Sequence, residues 1–204
     1  MLEYNFVSTD NLSAILLPNL EFVLRSAGIT LDEVELFAIA VGPGNFTGIR
    51  VGLSAIKGIL FARPRPVVAL NTLEALALKA APSRRTIVPL IDARRGEAYC
   101  ACYRVSSGSV RETSAPELLP VIELPKIVVS PAEVLFVGSG LDRYREFLKE
   151  TFPEAKMRFR SSFLASEIGR LAWKRYQEKQ YLSELQELLP FYIRRPDAEQ
   201  NLRD

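Results

Sequence analysis

Between Phe37 and Ala62 the chain reads FAIAVGPGNFTGIRVGLSAIKGILFA, an apolar run that passes through a glycine-proline-glycine turn into a helical pattern. Phe37 to Val41 has the length and composition of a buried strand. From about Thr47 the apolar residues recur at helical spacing, and the prolines at 64 and 66 end the helix. A strand that turns through Gly42, Pro43 and Gly44 into a helix is a building unit of α/β proteins. Such a turn aims backbone N–H groups beyond the strand end, so Gly42, Gly44, Asn45, Thr47 and Gly48 form a candidate anion or nucleotide site. The loop is neither a Walker A sequence, which ends in GK[ST], nor the GxGxxG dinucleotide fingerprint. The competing reading is packing. Gly48, Gly52, Ala55, Ile59 and Ala62 fall on one stripe that admits a close neighbour, and Ile49, Leu53, Ile56 and Leu60 form an adjacent aliphatic ridge. Two sticky faces suit a core helix or a protein interface.

The same alternation continues along the chain. Asp10 and Asn11 offer caps for a helix through LSAILLPNLEFVLRSA to Gly28, with Pro18 inside it as a kink or late start. VVALN reads as a strand and TLEALALKA as a helix, for which Asn71 and Glu74 offer a capping box. TIVPLID and EAYCACYRV read as strands of a hairpin around Gly96. The four prolines between Ser106 and Pro131 predict an irregular excursion with at most short strands. VLFVGSG is a second strand-to-glycine turn, leading to the helix LDRYREFLKE, in which Asp142 is the expected cap. SFLASEIGRLAWKRYQEK is an amphipathic helix. The basic, turn-rich APSRR predicts a boundary, dividing the chain into a first lobe at 1–82 and a second lobe with a C-terminal segment at 83–204.

Composition limits the chemistry. The 204 residues contain no histidine, so no Ser-His-Asp triad, Cys-His dyad or HExxH zinc site can be built from them. Cys100 and Cys102 alternate on one strand face, a spacing of ~6–7 Å that fits buried thiols better than a disulfide. No metal set and no catalytic set is expected. The N-terminus carries an acidic residue and no long apolar run, and nothing approaches a membrane span, so a cytoplasmic protein without membrane contact is expected. Asp92 and Glu97 are the carboxylates that an enzymatic reading would use, beside the hairpin. The bland alternative puts Glu97 on a strand edge.

GPGNFTGIRVGLSAIKG closely resembles the pattern GPGSFTGLRIGLATAKG of the TsaB (YeaZ) family of bacterial tRNA threonylcarbamoyladenosine biosynthesis proteins. LLPNLEFVLRSAGITLDEVELFAIAVG, VVALNTLEALA, PLIDARRGEAYCACY and PFYIRRPDAE are similar to further family segments in the same order, covering most of residues 12–199. The resemblance implies two ribonuclease-H-like lobes of the actin-like ATPase superfamily, with the chain entering at about the third strand, LEYNFVS, and the first strands of lobe one missing. It implies a non-catalytic scaffold that pairs with the catalytic homologue TsaD and works with the ATPase TsaE in threonylcarbamoyl transfer to adenosine 37 of tRNA. It also implies a helical interface with TsaD, or with a second copy in a homodimer, built on Leu16, Leu20, Val23, Leu24, Gly52, Leu53, Ile56 and Leu60. No certain cofactor is implied; weak ATP or ADP binding at the glycine loop is the candidate. Near-neutral charge, 26 basic against 24 acidic residues, leads us to expect only indirect contact with tRNA. The alternative in the same superfamily is a nucleotide-binding enzyme, an ATPase, kinase or peptidase-like protein.

Overall fold

The computed structural model describes residues 2–7, 11–128 and 130–194; Asp10 and the RPDAE part of the C-terminal motif lie outside them. The chain divides into two compact units, 1–71 with 163–190, and 72–162 with 191–204.

In the first unit, helix α1 (Leu12–Ala27) is capped by Asn11, whose side chain accepts from the Ser13 N–H, and stops at Gly28 in the left-handed region. Pro18 is accommodated within an unbroken helix. A short 3-10 turn at Leu31–Glu33 follows, held by a reciprocal Thr30–Glu33 capping box. Strand β1 (Phe37–Gly42) leads through the glycine turn into α2 (Phe46–Ala62), and β2 (Val67–Asn71) returns parallel to β1, a βαβ unit with α2 as its crossover. Val41, Leu53, Ile56, Leu60, Val67 and Leu188 make the core of this unit. The outer edge of β2 is covered: Val67 and Leu182 exchange backbone hydrogen bonds, and Arg175 donates to the Ala69 carbonyl at 3.2 Å. Residues 2–7 do not form the expected strand. Their apolar side chains pack locally instead, Tyr4 lying against Phe6 and Phe22 with ring centroids 5.6 and 5.3 Å apart.

The second unit holds a five-stranded sheet in the order β5-β4-β3-β6-β7. Its strands are β3 (Thr86–Asp92), β4 (Glu97–Ser106), β5 (Ser109–Pro120), β6 (Val134–Val137) and β7 (Lys156–Arg158). β3, β4 and β5 form an antiparallel meander, while β6 and β7 run parallel to β3 and to each other in succession. Helix α3 (Thr72–Lys79) covers one face, with Leu73 and Ala77 against Ile87, Ala101, Tyr103 and Val137. Helix α4 (Gly140–Thr151) covers the other, with Leu141 and Leu148 against Val88, Cys100 and Phe136. β4 is therefore buried on both sides, which its AYCACY composition suits. This mixed α/β architecture is the ribonuclease-H-like fold that the sequence implies.

Two expectations change here. The proline-containing excursion is a full twelve-residue strand, β5. β5 lies at the sheet edge with Pro116 where its register against β4 shifts, between the Ser114 and Glu117 pairings, and Ser107 and Gly108, both at positive φ, provide the tight hairpin turn. The division at residue 82 also differs, because α3 packs on the second sheet and helix α5 (Ala165–Gln177) returns to the first.

Candidate functional site

The glycine turn is built as the sequence suggests, but its donors are partly used. Asn45 caps α2, its Oδ1 accepting the Gly48 N–H at 2.8 Å. Gly42 and Pro43 are buried, Gly44 and Gly48 half-buried, and Asn45 and Thr47 exposed. A chain-supplied oxygen thus occupies the position where a bound anion's oxygen would accept.

The small-residue stripe has a definite neighbour. A Cβ on Gly52 would stand 3.4 Å from Ile39 Cδ1, so Gly52 lets α2 settle on β1. A Cβ on Gly48 would stand 3.8 Å from Leu12, on α1. The aliphatic ridge has turned inward: Leu53, Ile56 and Leu60 are buried in the unit's own core at 5%, 9% and 1% exposure. These three expected interface residues are therefore core residues in the folded chain, because a helix lying on a two-stranded sheet spends its aliphatic ridge on those strands.

The other expected residues stand differently. Leu16, Leu20, Val23 and Leu24 on α1 are half-buried, and none of the sixteen residues of that helix is fully buried. Leu17 and Phe22 on the same helix are 52% and 53% exposed. Both belong to the apolar periodicity of a helix that begins at an Asn cap and stops at a Gly, although neither is among the expected interface residues.

In the second unit, Asp92 and Glu97 are held by structural partners. Asp92 Oδ1 accepts the Arg94 N–H at 2.9 Å and the Tyr144 hydroxyl at 2.8 Å, and Arg143 stands 3.7 Å from Oδ2. Tyr144 also donates to the Glu97 carbonyl at 3.2 Å, and burial together with the Asp92 carboxylate pushes its hydroxyl up to about 12. Glu97 is paired with Arg194, which also donates to the Ala93 carbonyl at 2.9 Å. These ties fasten a turn in which Arg94, Arg95 and Gly96 all have positive φ. Its carboxylates serve the turn. Asp142 is an exposed residue of the first turn of α4, where it complements the helix dipole without capping. Among the described residues no three His, Cys, Asp or Glu side chains converge as a metal set, and no helix is long and apolar enough to cross a membrane.

Comparison with known proteins gives the following. The family model described as TsaD, tRNA N6-adenosine threonylcarbamoyltransferase, matches residues 7–202. The tRNA threonylcarbamoyladenosine biosynthesis protein TsaB of Haemophilus influenzae is 27% identical over 194 residues, covering 88% of this chain and 78% of the relative. TsaB of Escherichia coli is 29% identical over 141 residues, covering 67% of this chain and 61% of the relative. Among solved structures, YeaZ from Pseudomonas aeruginosa superposes with a TM-score of 0.73 at 29% identity, covering 91% of this chain and 86% of that one.

Proposed function

The chain belongs to the tRNA threonylcarbamoyltransferase family, and within it to the TsaB (YeaZ) proteins of tRNA threonylcarbamoyladenosine biosynthesis; on that premise we propose that it is an accessory subunit, itself without turnover, that pairs with a TsaD-type transferase. The observation that carries this reading is α1. A sixteen-residue helix with no buried residue gains little from its own fold, and helices in proteins draw most of their stability from a covered apolar face. Leu16, Leu17, Leu20, Val23 and Leu24 supply such a face for a second protein. The glycine turn and α2 then act behind it: Gly52 seats α2 on β1, and α2 holds α1 in place. A homodimer in the absence of the transferase, and TsaE as a further member of the assembly, belong to the same proposal.

The test is co-elution of the full chain with a TsaD homologue. Leu17→Asp, at an exposed position, is expected to abolish pairing while far-UV circular dichroism and melting temperature stay within error of the parent. Undiminished co-elution would overturn the α1 assignment. Metal-dependent ATP hydrolysis by the isolated chain, at rates typical of enzymes, would overturn the accessory reading. Substitutions at Leu53 or Ile56 are unsuitable for this purpose, since both would unfold the first unit.

A further inference from the structure

The chain's only tryptophan, Trp173, is 55% exposed on α5, an unusual position for the residue with the most apolar area to hide. It is the end of a short aromatic series. The Trp173 and Tyr176 rings are 6.0 Å apart at 33°, and Tyr176 and Tyr181 are 5.3 Å apart at 44°. The inner face of the same helix, Leu171 and Ala172, is buried, and Arg175 reaches back to the Ala69 carbonyl, so the platform is fixed to the first unit's sheet.

The turn after α5 carries a lysine against backbone preference. Gln180 N–H bonds the Arg175 carbonyl at 2.8 Å and Lys179 N–H the Tyr176 carbonyl at 3.0 Å, a pattern whose left-handed residue is most often glycine. Here that residue is Lys179, at φ 59°. The reversal folds Tyr181 back over Tyr176 and leaves the exposed Lys179 between them in sequence. Arg170 stands one helical turn before Trp173, and Lys174 follows it; Glu167 and Glu178 are the carboxylates of the segment.

We infer that Trp173, Tyr176 and Tyr181, with Arg170 and Lys179, form a stacking surface for single-stranded RNA, an unpaired stretch of the tRNA acted on by the assembly. Aromatic faces beside cations are the shared chemistry of single-strand binding, because every base offers a π-face and every linkage an anion. An apolar protein partner would be matched by the rings but not by a lysine held where glycine is favoured. Only indirect tRNA contact follows from net charge over the whole chain, whereas Arg170 and Lys179 supply a local positive charge beside the rings in sequence. The choice of tRNA rests on the accessory-subunit reading above.

Trp173 reports directly on its own site. The full chain is titrated with an unmodified tRNA transcript, with single-stranded oligoadenylate and with duplex RNA, following tryptophan emission. The expected result is saturable quenching by the transcript and by oligoadenylate, weaker by at least fivefold with duplex, and a loss of affinity as salt rises. Tyr181→Ala is expected to weaken binding roughly fivefold to a hundredfold. Lys179→Gly is expected to weaken it about threefold to tenfold while melting no lower than the parent, a combination that a purely structural role for Lys179 would not give. Absent quenching, equal quenching by duplex, or quenching on addition of the transferase alone would overturn the proposal, the last assigning the surface to a protein. Co-elution with the transferase is scored separately on the same variants. Failure of the parent chain to co-elute counts against the accessory reading, loss of co-elution in these variants alone assigns the surface to the transferase and overturns the RNA proposal, and loss of RNA response with co-elution retained supports the RNA surface.

Discussion

At Gly138 the backbone lies at φ 109°, and a Cβ added there would stand 2.4 Å from the Leu90 carbonyl oxygen. At Gly96 the φ is 79° and nothing lies within 4 Å of an added Cβ. The two positions separate close packing from dihedral strain. Gly138→Ala is expected to destabilise the protein by about 3 kcal/mol or more, because backbone must move, and Gly96→Ala by about 1 kcal/mol, for the left-handed conformation alone. Urea unfolding of both variants checks the difference. Lys179→Gly acts in the opposite sense, gaining up to about 1 kcal/mol at a position that already has glycine's conformation. Cys100 shows what burial does to a titrating group: desolvation first, then Cys102 and Glu117, pushes its thiol up to about 12 from an ordinary 9.0. Between those values the folded state keeps a proton that the unfolded chain has released. Stability therefore falls as pH rises through that window and is unaffected below it. Native protein at pH 8 is expected to resist thiol reagents at both cysteines, and urea-unfolded protein to react at both.

Helix α1 is the element whose sequence and structure disagree most usefully. Its caps and apolar periodicity are legible in Asn11, Gly28 and the leucines, and the structure reproduces them. What the sequence could not tell was which of two apolar helices would be covered, since Leu20 on α1 and Leu60 on α2 look alike as letters. Coverage is decided by β1 and β2, which take the α2 ridge. α1 amides are accordingly expected to exchange with deuterium much faster than those of α3, where Leu73, Ala75, Leu76 and Ala77 are buried, and to gain protection when the transferase is added. Pro18→Ala, which restores a helical N–H, is expected to slow exchange in α1 of the free chain. β5 was hidden for another reason. Prolines argue against strands in general, and only the sheet order shows that this strand sits at an edge where Pro116 does no harm. The Asp92–Gly96 turn was legible as a hairpin, while its fastening by Tyr144 and Arg194 depends on side chains far away in sequence.

The molecule's division was the least legible feature, because it is not a cut at one place. APSRR has the composition of a boundary, yet the first unit ends at residue 71 and resumes at residue 163. It takes α5, the Leu182–Val67 bridge and the fully buried Leu188 from the far side of the second unit's sequence. A chain stopped after residue 162 loses all three. We expect it to lose the circular dichroism of α1 and α2 and to elute with the transferase no longer, while keeping a cooperative transition from the sheet of the second unit. Preserved melting of the whole signal would show that the first unit stands without its returning segment.

That interleaving also sets an order in time. On a ribosome residues 1–71 emerge well before Leu188, and the first unit cannot close until Leu188 is translated. At roughly 5–20 residues per second the wait is on the order of ten seconds. The strands of the second unit emerge within that interval, so of the two units the one begun earlier is completed later. Throughout it β1, with the sequence FAIAVG and no charged residue to discourage pairing, has neither its returning helix nor its final core side chain. A nascent chain of this kind calls for shelter at β1 and not at the second unit's strands, and chaperone contacts during synthesis are expected to map there.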